Sequence, residues 1–241
     1  MSDGWVVVAY HGCDVTTRDG LVSGLKAPIS SANKYDWLGP GFYFFEGDSE
    51  RALSFAATAS KEPAKRYTAA PIVEPAVVGC VLMVQRCLDM TTRIGLLEFE
   101  QALAQLRAGL RASGVQIPRN TSAGSDDTDG LLRRLDNAVF NFIHEARDPN
   151  PPGQGSVSAP HYQMVRGAFR QGQALAPQSG FHRDSHIQIA LRDLTCIQGW
   201  FLRPGDQLMD AERSVQANAA MESAVKRYAK PRQLLGTSGL P

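Results

Sequence analysis

The chain has 241 residues, with 25 Lys+Arg against 24 Asp+Glu and a formal net charge of +1. That length fits one large domain or two small ones and is ample for a core without staples. Hydrophobic content of 43% with 20% charged residues excludes a mostly disordered chain, and near-neutral charge excludes the global basic field of a histone-like binder.

In chain order, Trp5 to Tyr10 is β-branched and aromatic and predicts a buried strand ending at His11-Gly12. Residues 14–23 predict a helix closed by Gly24. Residues 29–41 read as loop, ending Gly39-Pro40-Gly41, and Phe42 to Phe45 as a short aromatic strand. Ser49 is expected to cap a helix through Arg51, Ala52, Phe55 and Ala56. Ala76 to Val84 is a further strand. Leu96, Phe99, Leu103, Leu106 and Leu110 recur at helical steps before Gly114. Leu131, Leu135, Ala138, Val139, Phe142 and Ile143 do the same. The stretches 118–130 and 148–160 read as loops. Strands return near 163–170, 186–192 and 196–202, and a helix closes the chain near 207–229, with the last dozen residues frayed. Strands flanking a helical middle predict an α+β class.

Cys13, Cys80, Cys87 and Cys196 show no zinc-knuckle spacing and read as free thiols of a reducing compartment. The N-terminus lacks a basic leader, and the run from Trp5 to Tyr10 is too short to span a bilayer. A cytoplasmic protein without membrane contact is expected, with delivery into another cell left open.

Several chemical motifs fail. His144-Glu145 lacks the further histidine that a zincin needs. His182, Asp184 and His186 alternate and would share one face of a strand, but no further ligand is evident, and no metal is expected. There is no dinucleotide fingerprint and no P-loop.

Three segments carry candidate chemistry. Tyr10-His11-Gly12 puts an imidazole and bare backbone at a strand end. Gly39 to Phe45 offers Tyr43 as a stacking surface, with room beside it from Gly41 and with Phe55 as an opposite wall. In residues 185–191, alternation puts His186, Gln188 and Ala190 on one face and Ile187, Ile189 and Leu191 on the other. The polar face suits solvent and a cleft equally.

Together these segments resemble the ADP-ribosyltransferase superfamily, on the branch shared by diphtheria toxin and the poly(ADP-ribose) polymerases. That branch is marked by His, Tyr and Glu on three strands. Tyr10-His11-Gly12, Gly39 to Phe45 with the helix after it, and 185–202 match its motifs in order, and Tyr35-Asp36-Trp37 is similar to the toxin. The match covers about 5–60 and 160–205, and Gln188 stands where the family has its glutamate.

The resemblance implies one α+β domain over 1–241, built as two small antiparallel sheets around an NAD cleft, with a helical insertion at about 88–160. It implies that His11 holds the ribose, the Gly12 backbone pairs with the nicotinamide carboxamide, Gly41 borders the same site, Tyr43 stacks on the nicotinamide, and Phe55 is the second stacking ring. It gives Gln188 the ribose hydroxyl and His186 the role of a base toward the acceptor. Arg166 and Arg183 are candidates for the NAD phosphates, since guanidinium forks suit them.

The implied activity is mono-ADP-ribosylation, with NAD as substrate and a protein or nucleic acid as acceptor, in a bacterial toxin or defence effector. An antitoxin or immunity protein is a candidate partner. NAD glycohydrolysis and silent binding of NAD or ADP-ribose are the alternatives, the last favoured by the uncharged Gln188.

Overall fold

A computed structural model describes residues 4–62, 68, 70–122, 129–130, 132–147 and 161–228. Strands β1 (Trp5–Asp14), β2 (Phe42–Glu46), β3 (Pro75–Val84), β4 (Cys87–Asp89), β5 (Met164–Phe169), β6 (His186–Leu191) and β7 (Ile197–Phe201) form one sheet in the order β4-β5-β6-β2-β1-β3-β7. Only the β4–β5 pair is parallel. The helices are α1 (Val15–Val22), α2 (Ser49–Lys61), α3 (Arg93–Ala112), α4 (Arg134–Arg147) and α5 (Ala211–Tyr228). The α+β class holds.

The expected pair of sheets does not appear, because β1 and β2 join the two halves. They do so through only two register pairs, Ala9↔Glu46 and Tyr10↔Phe45, whereas β1 follows β3 over ten. The three-residue β4 had no sequence signal of its own. It is held by pairing Cys87↔Met164, Leu88↔Val165 and Asp89↔Arg166.

The period of two sorts the strand residues into two faces. On the first face Val7, Ala9, Phe42, Phe44, Val78, Cys80, Ile189 and Leu191 pack with Leu21 of α1. On the second, Val165 and Ala190 meet Ala102 of α3 and Val139, Phe140 and Ile143 of α4. Phe45 and Val77 meet Ala52 of α2 on the same face. The helical middle thus covers one side of the sheet. Residue 131, most of the 118–130 stretch after 122, the 148–160 loop and the chain after 228 lie outside the described residues.

Caps set the helix starts. Asp14 accepts Thr16 N at 2.9 Å and, through its other oxygen, Val73 N at 2.8 Å and Glu74 N at 2.9 Å. One buried carboxylate therefore starts α1 and pins the approach to β3. Asp48, rather than Ser49, caps α2 by accepting Arg51 N at 2.8 Å. Gly24, at φ +72°, ends the α1 turn as the sequence predicts. No helix among the described residues is long and apolar enough to cross a membrane.

His144 on α4 is 3% exposed, and among the described residues neither ring nitrogen has a hydrogen-bond partner. Burial, then Arg192 and Arg147, pushes its pKa down to about 3. A histidine buried neutral protonates more readily when unfolded. Its contribution is therefore intact above the ordinary value of 6.5 and is lost as pH falls toward 3. His144→Leu removes both the orphaned nitrogens and the proton sink. Acid titration followed by circular dichroism is expected to show a lower unfolding midpoint, with stability at pH 7 unchanged or raised by about 1 kcal/mol. An unchanged or higher midpoint contradicts this account.

Candidate functional site

The loop before β2 is built to place one indole. The Asp36 carboxylate accepts Ser31 Oγ and Asn33 N, each at 2.7 Å. Buried Asn137 of α4 donates to the Asp36 carbonyl at 2.9 Å and the Asn33 carbonyl at 3.2 Å, tying the loop to the helix layer. Trp37 then lies over Gly167 of β5, where a Cβ would sit 2.9 Å from its ring. Only glycine leaves that space.

From there Trp37 Nε1 donates to Gln188 Oε1 on β6. An indole N–H can only donate, so the contacted atom of Gln188 is its carbonyl oxygen. The Gln188 amide nitrogen has no partner among the described residues and is the remaining hydrogen-bonding end. Gln188 is in register with Gly167 on one side and Phe45 on the other, and Phe45 with Tyr10. The second face thus carries a lateral row of Gly167, Gln188, Phe45 and Tyr10 across four strands.

Around this row lie aromatic rings and two guanidiniums. Phe45 and Phe169 flank His186 at centroid distances of 4.9 and 5.5 Å. Phe55 of α2 lies 5.9 Å from Phe45, and Trp37 lies 4.8 Å from Phe169. Arg51 sits over Phe45 at 5.2 Å and Arg133 over Phe169 at 5.0 Å, both in the range of cation–π attraction. Phe45, Phe169 and His186 are buried, whereas Trp37, Gln188, Tyr10 and Phe55 are part-exposed. Arg51 and Arg133 thus cover the buried rings, and the part-exposed rings with the Gln188 amide form the accessible part of the cluster.

His11 sits where the β1–β2 ladder stops. Its Nδ1 lies 2.8 Å from the Tyr43 carbonyl oxygen. A carbonyl only accepts, so Nδ1 carries the proton and Nε2 the lone pair. Burial pushes its pKa down to about 4, against the raising effect of the Tyr43 carbonyl. Its ring packs on Phe42 at 4.4 Å, on the first face. The Tyr43 side chain lies on the second face, where its hydroxyl donates to the Gly39 carbonyl at 2.7 Å and accepts Leu38 N at 3.2 Å. Burial raises that phenol well above its ordinary pKa. His11 and Tyr43 are therefore joined through backbone, with their rings on opposite faces.

Other expected residues are placed differently. On its α2 side Gly12 is closely packed: a Cβ there would stand 2.1 Å from the Ala52 carbonyl oxygen, so no group enters from that direction. Gly41 faces β6, with Leu191 O at 2.9 Å from the equivalent point. Phe55 packs on Phe45 rather than over Tyr43, which belongs to the α3–α4 layer. Arg166 is held by Glu46 at 2.5 Å and Asp89 at 3.2 Å on the first face, and its guanidinium is already occupied by carboxylates. Arg183 is exposed.

His186 opens β6 and is buried, rather than lying on an exposed loop. Its Nδ1 lies 2.7 Å from the Asp184 carbonyl oxygen, and its Nε2 is buried without a partner among the described residues. Burial, outweighing the Asp184 bond, pushes its pKa down to about 4, below the range of a base poised at neutral pH. His182 is not on that strand, and its Nδ1 meets the Gly172 carbonyl oxygen at 2.7 Å.

The sequence motifs included Trp37 and Phe45 without giving either a place in this cluster, and Phe169, Arg51 and Arg133 were not singled out as site residues. Comparison with protein-family models, with curated proteins and with solved structures gives no match.

The packing at Gly12 is directly testable. Gly12→Ala is expected to lower stability by about 2–3 kcal/mol in denaturant unfolding, since α2 must shift off the sheet. A Gly12 facing open space would tolerate alanine with no loss.

Proposed function

We propose that this chain is an NAD-dependent mono-ADP-ribosyltransferase that passes ADP-ribose to a protein or nucleic acid, with the row Gln188, Phe45 and Tyr10 as its substrate surface. One observation supports this most. The strands bearing Gln188, Tyr43 and His11 are neighbours in the order β6-β2-β1, and their pairing narrows to two register pairs beside His11. That narrowing is the nearest counterpart here to the division between two half-sheets that the resemblance implies.

In such a reaction the nicotinamide–ribose bond breaks through an oxocarbenium-like transition state, nicotinamide leaves with the bonding electrons, and the acceptor nucleophile bonds to the ribose carbon. The part-exposed rings Tyr10, Phe55 and Trp37 offer apolar surface for a flat cationic ring, worth about 1–2 kcal/mol where the contact is desolvated. Gln188 offers a hydrogen bond to the sugar without charge. His11 fixes the end of the β1–β2 ladder through the Tyr43 carbonyl, with its ring on the face opposite Gln188.

A second reading, a module that binds NAD or ADP-ribose without turnover, is favoured by the Trp37–Gln188 bond. With its oxygen engaged, Gln188 turns a donor outward. A donor draws electron density from a ribose hydroxyl, which opposes oxocarbenium formation, whereas a carboxylate acceptor would assist it.

Nicotinamide release from NAD, followed with and without total cell protein and RNA, separates these readings. The transferase is expected to release nicotinamide when its macromolecular acceptor is present, and Gln188→Ala to slow release at least tenfold. Release in buffer alone indicates a glycohydrolase. NAD binding without release under any condition overturns the transferase and leaves the silent module.

A further inference from the structure

The helical middle carries a second surface, outside the sheet face just described. A groove of about 590 Å³ runs between the C-terminal end of α3 and the start of α4. Arg107, Arg111 and Arg119 line it, with Val115, Ile117 and Leu135 as its apolar part. Its wall is held at both ends. Val115 N bonds the Leu110 carbonyl at 2.9 Å, and the Asn120 carboxamide oxygen accepts Leu135 N at 2.9 Å.

The charge here is unbalanced. From Gln101 to Arg119 the sequence has three arginines and no acidic residue. All three arginines are exposed, and none has an ion pair or side-chain hydrogen bond among the described residues. Elsewhere Arg18, Arg133, Arg147, Arg166, Arg203 and Arg213 each meet a carboxylate. Arg107 and Arg111 lie four residues apart, a like-charge spacing that opposes the helix by a few tenths of a kcal/mol. The α3 dipole favours Arg111 in the last turn. It accounts for neither Arg107, one turn earlier, nor Arg119 beyond the helix.

We propose that this groove docks an acidic peptide segment of a partner protein that carries an apolar anchor residue. Its carboxylates pair with the three guanidinium forks, which suit them geometrically. Its apolar side chain covers Val115 and Leu135; Val115 is 53% exposed. The lining favours a peptide over a nucleic acid. Among the described residues no aromatic ring lines the groove to stack a base, and an aliphatic floor gives a phosphate backbone nothing.

The test is fluorescence anisotropy on the full chain with three labelled probes: a short peptide of Asp, Glu and Leu, its Asn/Gln counterpart, and a single-stranded oligothymidylate. The acidic peptide is expected to bind, its amide counterpart to bind at least tenfold more weakly, and binding to fall with salt. R107Q/R111Q/R119Q, all at exposed positions and checked for fold by circular dichroism, is expected to weaken the acidic peptide at least tenfold. Tighter binding of the oligonucleotide through the same arginines overturns the proposal in favour of a nucleic-acid groove. Absence of peptide binding, or binding indifferent to the triple variant, also overturns it. Neither result bears on NAD turnover, which is read separately.

Discussion

The ladder between β1 and β2 runs for two register pairs and then stops, and the rest of the molecule is arranged around that short seam. Tyr10 pairs with Phe45; one step further, the His11 imidazole, rather than a backbone N–H, meets the Tyr43 carbonyl. A buried carbonyl needs a donor, and this one is supplied by a side chain. The seam keeps a single sheet while letting its halves face different layers. On the second face β1, β3 and Phe45 of β2 pack under α2, and β4, β5 and β6 pack under α3 and α4, whereas the first-face core around α1 draws on both halves. Protonating His11 twice over would remove nothing from the Tyr43 bond but would bury a charge, which is why burial holds its pKa near 4.

The second constraint is the bond between Trp37 and Gln188, which spans 151 positions of sequence. It rests on a chain of local interactions. Asp36 closes the loop, Asn137 ties the loop to α4, and Gly167 leaves space for the indole. Each step is ordinary hydrogen bonding or packing, yet together they fix which end of one carboxamide is free. That choice decides the chemistry the surface offers: an uncharged donor against flat rings, in place of a carboxylate.

Much of this was legible in the sequence. Alternation in β6 put His186, Gln188 and Ala190 on one face and Ile189 and Leu191 on the other, as the core clusters show. The periodic leucines gave α3, and Gly24 gave the end of α1. Other features depend on contacts that no local pattern records. β4 exists because β5 pairs with it. The α2 cap moved to Asp48 because that residue, not Ser49, reaches the Arg51 N–H. Arg166 looked free for phosphate until Glu46 and Asp89 met it from two other strands. The opposed rings of His11 and Tyr43 follow from the register of β1 against β2. A one-residue slip would have put them on one face.

The most direct test is a titration with a non-hydrolysable NAD analogue followed by ¹H–¹⁵N NMR. The Trp37 indole signal, the Gln188 side-chain amide signals and the backbone signals of Phe45 and Tyr10 are predicted to shift together with one affinity. Shifts confined to other parts of the chain, or none at saturating analogue, would contradict the assignment of this sheet face as the substrate surface.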